Sequence, residues 1–401
     1  MPKADVVVAG GGVSGLLIAS ALAPKCAVTL LEQSDSLPQN KYWLTDERAA
    51  NDNPHLAHCV DRRYDFLDFV AYDGLTARIR GRYCLWNTEK LVQRLTQILS
   101  EHGVQVLTGH RLYSIAYDAT GIVVRANSET FHARLLVDCM GFGSPLVGAK
   151  HTASIAGYYI LYGCEVAIRG EVAPIALDNV VIDRQPAFFE LFPTSKQTAH
   201  AGIILPARQY KLNRSLKGEL HFILSKSHYC QQIAWNPTGA QNSYFGIIPV
   251  GRLRKAALDR IVFFGEAGQA NPAASATGLS RMLRTYRELA VALMICLEQD
   301  ELGDKQLQRA IPRYMTTMNR VFQETLFESL LSFDSDDFRR LVRDLREYPD
   351  EVINDLVFAD FEFGNRRTLR LAFDAIIRRD GILGHHVVKS ALRFLSRSRS
   401  V

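Results

Sequence analysis

The residues best spaced for chemistry stand near the N-terminus, where Gly10-Gly11-Gly12-Val13-Ser14-Gly15 reads G-x-G-x-x-G with Ala19 four positions on. Gly10 permits a tight turn, Gly12 lets a pyrophosphate approach the main chain, and Gly15 with Ala19 lets a helix pack closely on a strand. Val13 and Ser14 open that helix, whose N-terminus turns its partial positive charge toward phosphate. Glu32 lies 22 residues after Gly10, with Gln33 beside it. A carboxylate there accepts from both ribose hydroxyls and disfavours a 2′-phosphate, which leaves FAD or NAD(H) as the nucleotide. Acid–base candidates are few. Glu190 sits among apolar strand residues, where burial would raise its pKa and suit it to general acid work. Glu165 is a similar, weaker candidate, and His200 is placed to donate to an oxyanion or intermediate.

The elements that must position these groups can be read from periodicity. Asp5–Ala9 is a short apolar run ending in glycines, Val13–Ala23 an apolar helix, and Ala27–Leu31 a second strand ending at Glu32. Together they predict one βαβ unit. Residues 42–83 show no clear period and read as an excursion or loop. A helix over 88–100 and alternating strands over 104–137, broken at Asp118 and Gly121, follow. Strand-like runs dominate from 157 to 244, and Arg260–Phe264 returns to a buried-strand pattern ahead of a long helix. From Lys305 the chain reads as helical and Arg-rich. The fold class expected is α/β: a discontinuous Rossmann-type domain (1–150 and 245–300), an inserted antiparallel substrate domain (151–244) and a helical C-terminal region (301–401).

Composition narrows the function. The chain has 401 residues and a formal charge of +5, too little to imply a nucleic-acid partner. The basicity is local: from Asn365 to Val401 there are eight Arg and one Lys against two Asp. Within it, Leu369–Leu395 suits a basic amphipathic surface on anionic lipid. Seven cysteines lie scattered without a C-x-x-C pair, which argues against a disulfide framework or a structural zinc site, and His385-His386 is too little for a metal. No signal peptide is evident, and Leu289–Leu297 is too short to span a bilayer. The expected location is the cytoplasm, peripheral to the inner face of the membrane.

Arg260-Ile-Val-Phe-Phe-Gly265-Glu266-Ala267-Gly268, then Pro272 and Gly278, resembles the second flavin motif of the hydroxylase, geranylgeranyl-reductase and lycopene-cyclase superfamily. In that family the acid holds the ribityl chain and the following helix N-terminus, here Thr277, Gly278 and Leu279, faces the flavin pyrimidine. The resemblance thereby selects FAD, although Glu266 stands where Asp is usual. Tyr42-Trp43 with Asp46-Glu47, Asp138 with Gly141, Tyr162-Gly163, Phe188–Pro193 and Ile248-Pro249-Val250-Gly251 resemble lycopene-cyclase motifs in family order. Arg48 is a candidate for a flavin phosphate or a substrate carboxylate, and Leu112 is placed among the cofactor contacts. Asn87 occupies the spot where many relatives carry a flavin-contacting Arg. The acidic Phe-Leu-Glu-Glu-Thr run of the cyclases is replaced here by His200-Ala201-Gly202-Ile203-Ile204.

The resemblance implies an FAD-dependent oxidoreductase, a monooxygenase or reductase, acting on a lipophilic small molecule, with NAD(P)H or a partner reductase supplying electrons. A redox-neutral cyclase using reduced FAD and a non-catalytic FAD-binding protein are the alternatives.

Overall fold

A computed structural model describes residues 4–39, 41–119, 121–149, 153–182, 185–212, 214–226, 228–234, 242–311, 317–358 and 382. Along the chain run strands β1 (Ala4–Ala9), β2 (Val28–Leu31), β3 (Tyr42–Asp46), β4 (Val60–Val70), β5 (Thr76–Asn87), β6 (Gln105–Leu107), β7 (Leu112–Asp118), β8 (Gly121–Ala126) and β9 (Glu129–Asp138). After them come β10 (Ala153–Ile168), β11 (Ile175–Ile182), β12 (Gln185–Pro193), β13 (Thr198–Ala207), β14 (Ile233–Ala234), β15 (Tyr244–Leu253), β16 (Ala257–Leu258) and β17 (Ile261–Phe263).

The first sheet has the order β16-β17-β9-β1-β2-β6, with β8 and β7 extending from β9. Strand β1 lies between β2 and β9, parallel to both, and Val6, Val7 and Val8 are fully buried. That is why ADVVVA is apolar throughout: a parallel strand covered on both faces has no solvent side. Helices α1 (Val13–Leu22) and α3 (Thr88–Glu101) pack there with the 22-residue α6 (Gly278–Gln299). This is the Rossmann-type α/β architecture that the sequence predicts.

The second sheet has the order β14-β10-β13-β12-β11-β4-β5-β3, with β15 on the other side of β10. Residues 42–83, expected as loop, in fact supply β3, β4 and most of β5, so the sheet reaches well beyond residues 151–244. The reason lies in the solvent face. Along β5, Ala77 and Ile79 are buried while Arg78, Arg80 and Arg82 are exposed, so averaging over the segment hides the alternation. Irregular pairing between Tyr64 and Phe66 breaks the period in β4.

One face of this sheet packs on helix α5 (Leu216–Lys226) through Leu216, Leu220 and Leu224. The other packs on α8 (Thr317–Leu330), α9 (Ser335–Glu347) and α10 (Asp350–Val357) through residues such as Phe327, Phe338 and Ile353. A reciprocal capping box between Asp334 and Asp337 fixes the start of α9. The basic segment 369–395, with His385-His386, lies outside the described residues apart from Ile382.

Candidate functional site: two cavities with a shared wall

The glycines lie where β1 ends and α1 begins. Gly10 has φ +108°, and a Cβ on it would stand 2.4 Å from the Cys139 carbonyl oxygen. A Cβ on Gly15 would stand 1.8 Å from the Gly10 carbonyl oxygen. Around a Gly12 Cβ there would be nothing within 4 Å. The first two glycines are demanded by packing and the third leaves open space, which is the pattern a nucleotide-binding turn requires. Glu32 is fixed by two backbone donors: Gly11 N–H to Oε2 at 2.7 Å and Ser34 N–H to Oε1 at 2.8 Å.

The cleft in front of this turn is about 790 Å³. Gly10, Gly12, Val13 and Ser14 line one part of it, and Glu32 with Gln33 another. Leu112, Gly141 and Glu266 also face it. Gly141, at φ +66°, lies close under Glu266, whose Oε2 would be 3.1 Å from a Cβ there. Burial pushes the Glu266 carboxyl above its ordinary range, while the charge of Lys41 opposes that shift. The open turn, the fixed acid and the size of the cleft fit a dinucleotide cofactor.

Several residues singled out in the sequence do not line this cleft. Arg48 lines neither cavity; its guanidinium pairs with the neighbouring Asp46 and with Asp355 at 3.6 Å, so the charge expected to meet phosphate is used to join α2 (Glu47–Asn51) to α10. Gly265, at φ +67°, and buried Pro272 belong to the turn between β17 and α6 and are not among the lining residues of this cleft. Asn87 caps α3 by accepting from Lys90 N–H and donates to Asp61. Thr277, Gly278 and Leu279 line the second cavity.

That second cavity is an apolar chamber of about 340 Å³ between the second sheet and α8–α10. Its walls include Leu67, Phe188, Phe192, Ile204, Leu326 and Leu341. It meets the cleft at Lys41, Trp43 and Glu266, which line both. Glu190 and Glu266 are the carboxyl side chains among its described lining residues.

Glu190 faces the chamber because β12 alternates: Phe188, Glu190 and Phe192 line it, while Phe189 and Leu191 belong to the opposite core. Pairing then sets one line of residues across four strands, with Glu190 on β12 opposite Gly202 on β13, Gly202 opposite Gly163 on β10, and Gly163 opposite Tyr244 on β15. His200, one step along β13 on the same face, is 2% exposed. Its Nε2 lies 2.9 Å from the Tyr244 hydroxyl and 3.5 Å from Glu190 Oε1.

The glycines leave the room for this group. A Cβ on Gly163 would be 2.6 Å from His200 Cε1, and one on Gly202 would be 2.6 Å from Glu190 Oε1. The Tyr42 ring also lies beside His200, tilted, with ring centroids 5.6 Å apart. Burial, then the charge of Glu190, holds the Tyr244 phenol well above its ordinary range. Glu165 pairs across from His200 in register but lines neither cavity, so the structure gives it no place at the chamber. Sequence reasoning missed Lys41 and Tyr244. The only trace of Tyr244 is its position just before the Ile-Pro-Val-Gly stretch.

Among the described residues no group of three or more His, Cys, Asp or Glu is placed to hold a metal ion. No described helix is long and apolar enough to cross a membrane.

A family model described as lycopene cyclase protein matches residues 5–363. Among solved structures, a geranylgeranyl bacteriochlorophyll reductase-like protein from Thermoplasma acidophilum is 14% identical with a TM-score of 0.70, over 87% of this chain and 93% of that one. A mutant of the halogenase PltM, in complex with FAD, is 12% identical with a TM-score of 0.65, over 100% of this chain and 97% of that one. OxyS anhydrotetracycline hydroxylase from Streptomyces rimosus is 17% identical with a TM-score of 0.58, over 89% and 76%. A 3-dehydro-bile acid delta(4,6)-reductase from Clostridium scindens is 27% identical over 162 residues, 35% of this chain and 40% of that protein, so the match spans well under half of the reductase.

Proposed function

The chain belongs to the lycopene cyclase protein family, and on that premise we propose that it is an FAD-dependent oxidoreductase acting on a lipophilic small molecule, by oxygen insertion or by hydrogen transfer. One observation carries this reading: an apolar chamber and a nucleotide cleft share the wall formed by Lys41, Trp43 and Glu266. The cleft takes FAD. Gly12 leaves the path for its pyrophosphate and Glu32 meets the adenosine ribose. Thr277, Gly278 and Leu279 would meet its ring end. Bound FAD supplies the two-electron chemistry. The chain's own part is to hold the substrate away from water among the chamber's apolar side chains, beside that ring. Electrons come from NAD(P)H or a partner reductase. The basic C-terminal region is proposed to reach anionic lipid, where a lipophilic substrate dissolves.

A second reading, redox-neutral cyclisation, is favoured by the carboxyl of Glu190 in the chamber wall together with the family match. One experiment separates the two. Holoprotein is photoreduced without air, supplied with candidate polyenes or lipophilic acyl or aromatic compounds, and then given air. A product heavier by one oxygen or by two hydrogens supports oxidoreduction, and Glu190→Gln then slows turnover by less than the roughly 10²–10⁴ expected for a lost general acid. A cyclic product of equal mass, lost in Glu190→Gln, establishes the cyclase reading instead. Purified protein is expected to be yellow and to release FAD on denaturation. A colourless protein that cannot be reconstituted with FAD sinks both readings.

A further inference from the structure

We infer that Tyr244, held by the imidazole of His200, is the proton donor of the chamber, and that the substrate therefore carries an oxygen or conjugated carbonyl at that end. The inference rests on the proposed reading only in taking the chamber as the substrate site.

The argument starts from one nitrogen. His200 Nε2 approaches two oxygens, Tyr244 Oη at 2.9 Å and Glu190 Oε1 at 3.5 Å. A lone pair on Nε2 would be repelled by the Glu190 carboxylate; a hydrogen there is attracted to both oxygens. Nε2–H therefore donates to the tyrosine oxygen, and the phenolic hydrogen, no longer directed at the imidazole, is free to point into the chamber that Tyr244 lines. The other groups close to this assembly are the Tyr42 ring beside His200, Glu165 across from His200 on β10, and Cys164, which acts electrostatically on Tyr244.

The paired glycines make the assembly possible. In an ordinary sheet two side chains would stand between Glu190 and Tyr244. Here Gly202 and Gly163 occupy those positions, and the imidazole lies over Gly163, between acid and phenol. The proton path balances. Tyr244 O–H gives its proton to a basic oxygen or carbon formed on the substrate, and the resulting tyrosinate, which accepts from His200 Nε2–H, recovers a proton from solvent. Tyr244 touches the substrate; His200 and Glu190 position it.

Two measurements on the full-length protein test this. With ¹⁵N-labelled histidine rings, and the His200 signal identified by its loss in His200→Gln, Nε2 is expected to carry a hydrogen whose signal moves upfield in Tyr244→Phe. A bare Nε2 with hydrogen only on Nδ1 overturns the inference. The second uses 4-(dimethylamino)cinnamaldehyde, a lipophilic conjugated carbonyl whose absorption moves to the red when its oxygen accepts a hydrogen bond. A red shift on binding is expected, lost in Tyr244→Phe and weakened in His200→Gln. No shift with unaltered protein, or an equal shift with Tyr244→Phe, overturns it. Neither measurement needs turnover, so absence of FAD or of net chemistry would sink the proposed function without touching this result.

Discussion

The cleft and the chamber are built in different ways. In the cleft, the decisive groups come from one continuous stretch, residues 10–32, and much of the work is done by backbone: missing side chains at Gly10, Gly12 and Gly15, and N–H donors fixing Glu32. In the chamber, the decisive groups come from four strands and meet through register. A site made of backbone tolerates little change in its few glycines and much change around them. A site made of cross-strand side chains is vulnerable wherever the pairing or the packing beneath it shifts.

Breaking the cleft should have the largest effect. Gly12→Asp is expected to abolish FAD retention, because the side chain enters the open space in front of the turn and adds negative charge facing phosphate. Flavin absorbance of the purified protein reads this directly, and normal retention would refute the assignment of the cleft. Glu32→Ala is expected to weaken FAD binding by about 1–3 kcal/mol, the usual cost of losing a hydrogen bond to a charged group. Titration of the apoprotein with FAD measures it. An unchanged affinity would show that Glu32 only serves Gly11 and Ser34.

The chamber is tested by refilling its glycines. Gly163→Ala sets a methyl against two confined rings, His200 and Tyr244, and is expected to destabilise the protein by about 1–3 kcal/mol in urea unfolding. At Gly202 the three atoms nearest an added methyl all belong to the flexible Glu190 side chain, which can swing away, so Gly202→Ala should cost less than about 1 kcal/mol while the contact with His200 is lost. Equal costs at the two positions would contradict the arrangement described.

A further expected effect is one of pH. Asp138 is buried, and desolvation raises its carboxyl to about 6, against the hydrogen bonds it accepts from Ser144 and from Met140 N–H. The native state therefore binds a proton that the unfolded chain has released. The stability this contributes is complete below about 4 and is lost as pH rises to about 6. Asp138→Asn should remove that part of the pH dependence, at most about 1.4 kcal/mol per pH unit, as followed by urea unfolding across the window. A slope unchanged by the substitution would place Asp138 in a wetter setting.

The same contrast explains what could be read in advance. The βαβ unit, its glycines and Glu32 are local, and local spacing survives in a linear sequence. Glu190 was legible because strand alternation decides which face it takes. His200 was legible as a residue, but its partner was not: the line from Glu190 through Gly202 and Gly163 to Tyr244 depends on three pairings of distant segments. The pairing of Arg48 with Asp355 was not legible, because a lone Arg gives no sign of which acid or phosphate will meet it. Strands β3–β5 escaped because arginines on the solvent face and an irregularity in β4 mask the period.

The route of the chain between the two sheets has a consequence for how the molecule comes to exist. Residues 4–31 enter the first sheet, 42–87 the second, 105–138 the first, 153–253 the second and 257–263 the first again. During synthesis, β4 emerges long before β11, its parallel neighbour, and β9 waits for β17. Neither sheet can close early, so folding is dominated by distant contacts, which slow it. A fragment ending near residue 150 would carry a Gly-rich nucleotide turn that looks complete in sequence, beside an open β4 edge ready to pair with another chain. Such a fragment is expected to aggregate rather than to bind nucleotide. Attempts to isolate the N-terminal half as an independent cofactor-binding unit should therefore fail for kinetic and topological reasons, not for want of the motif.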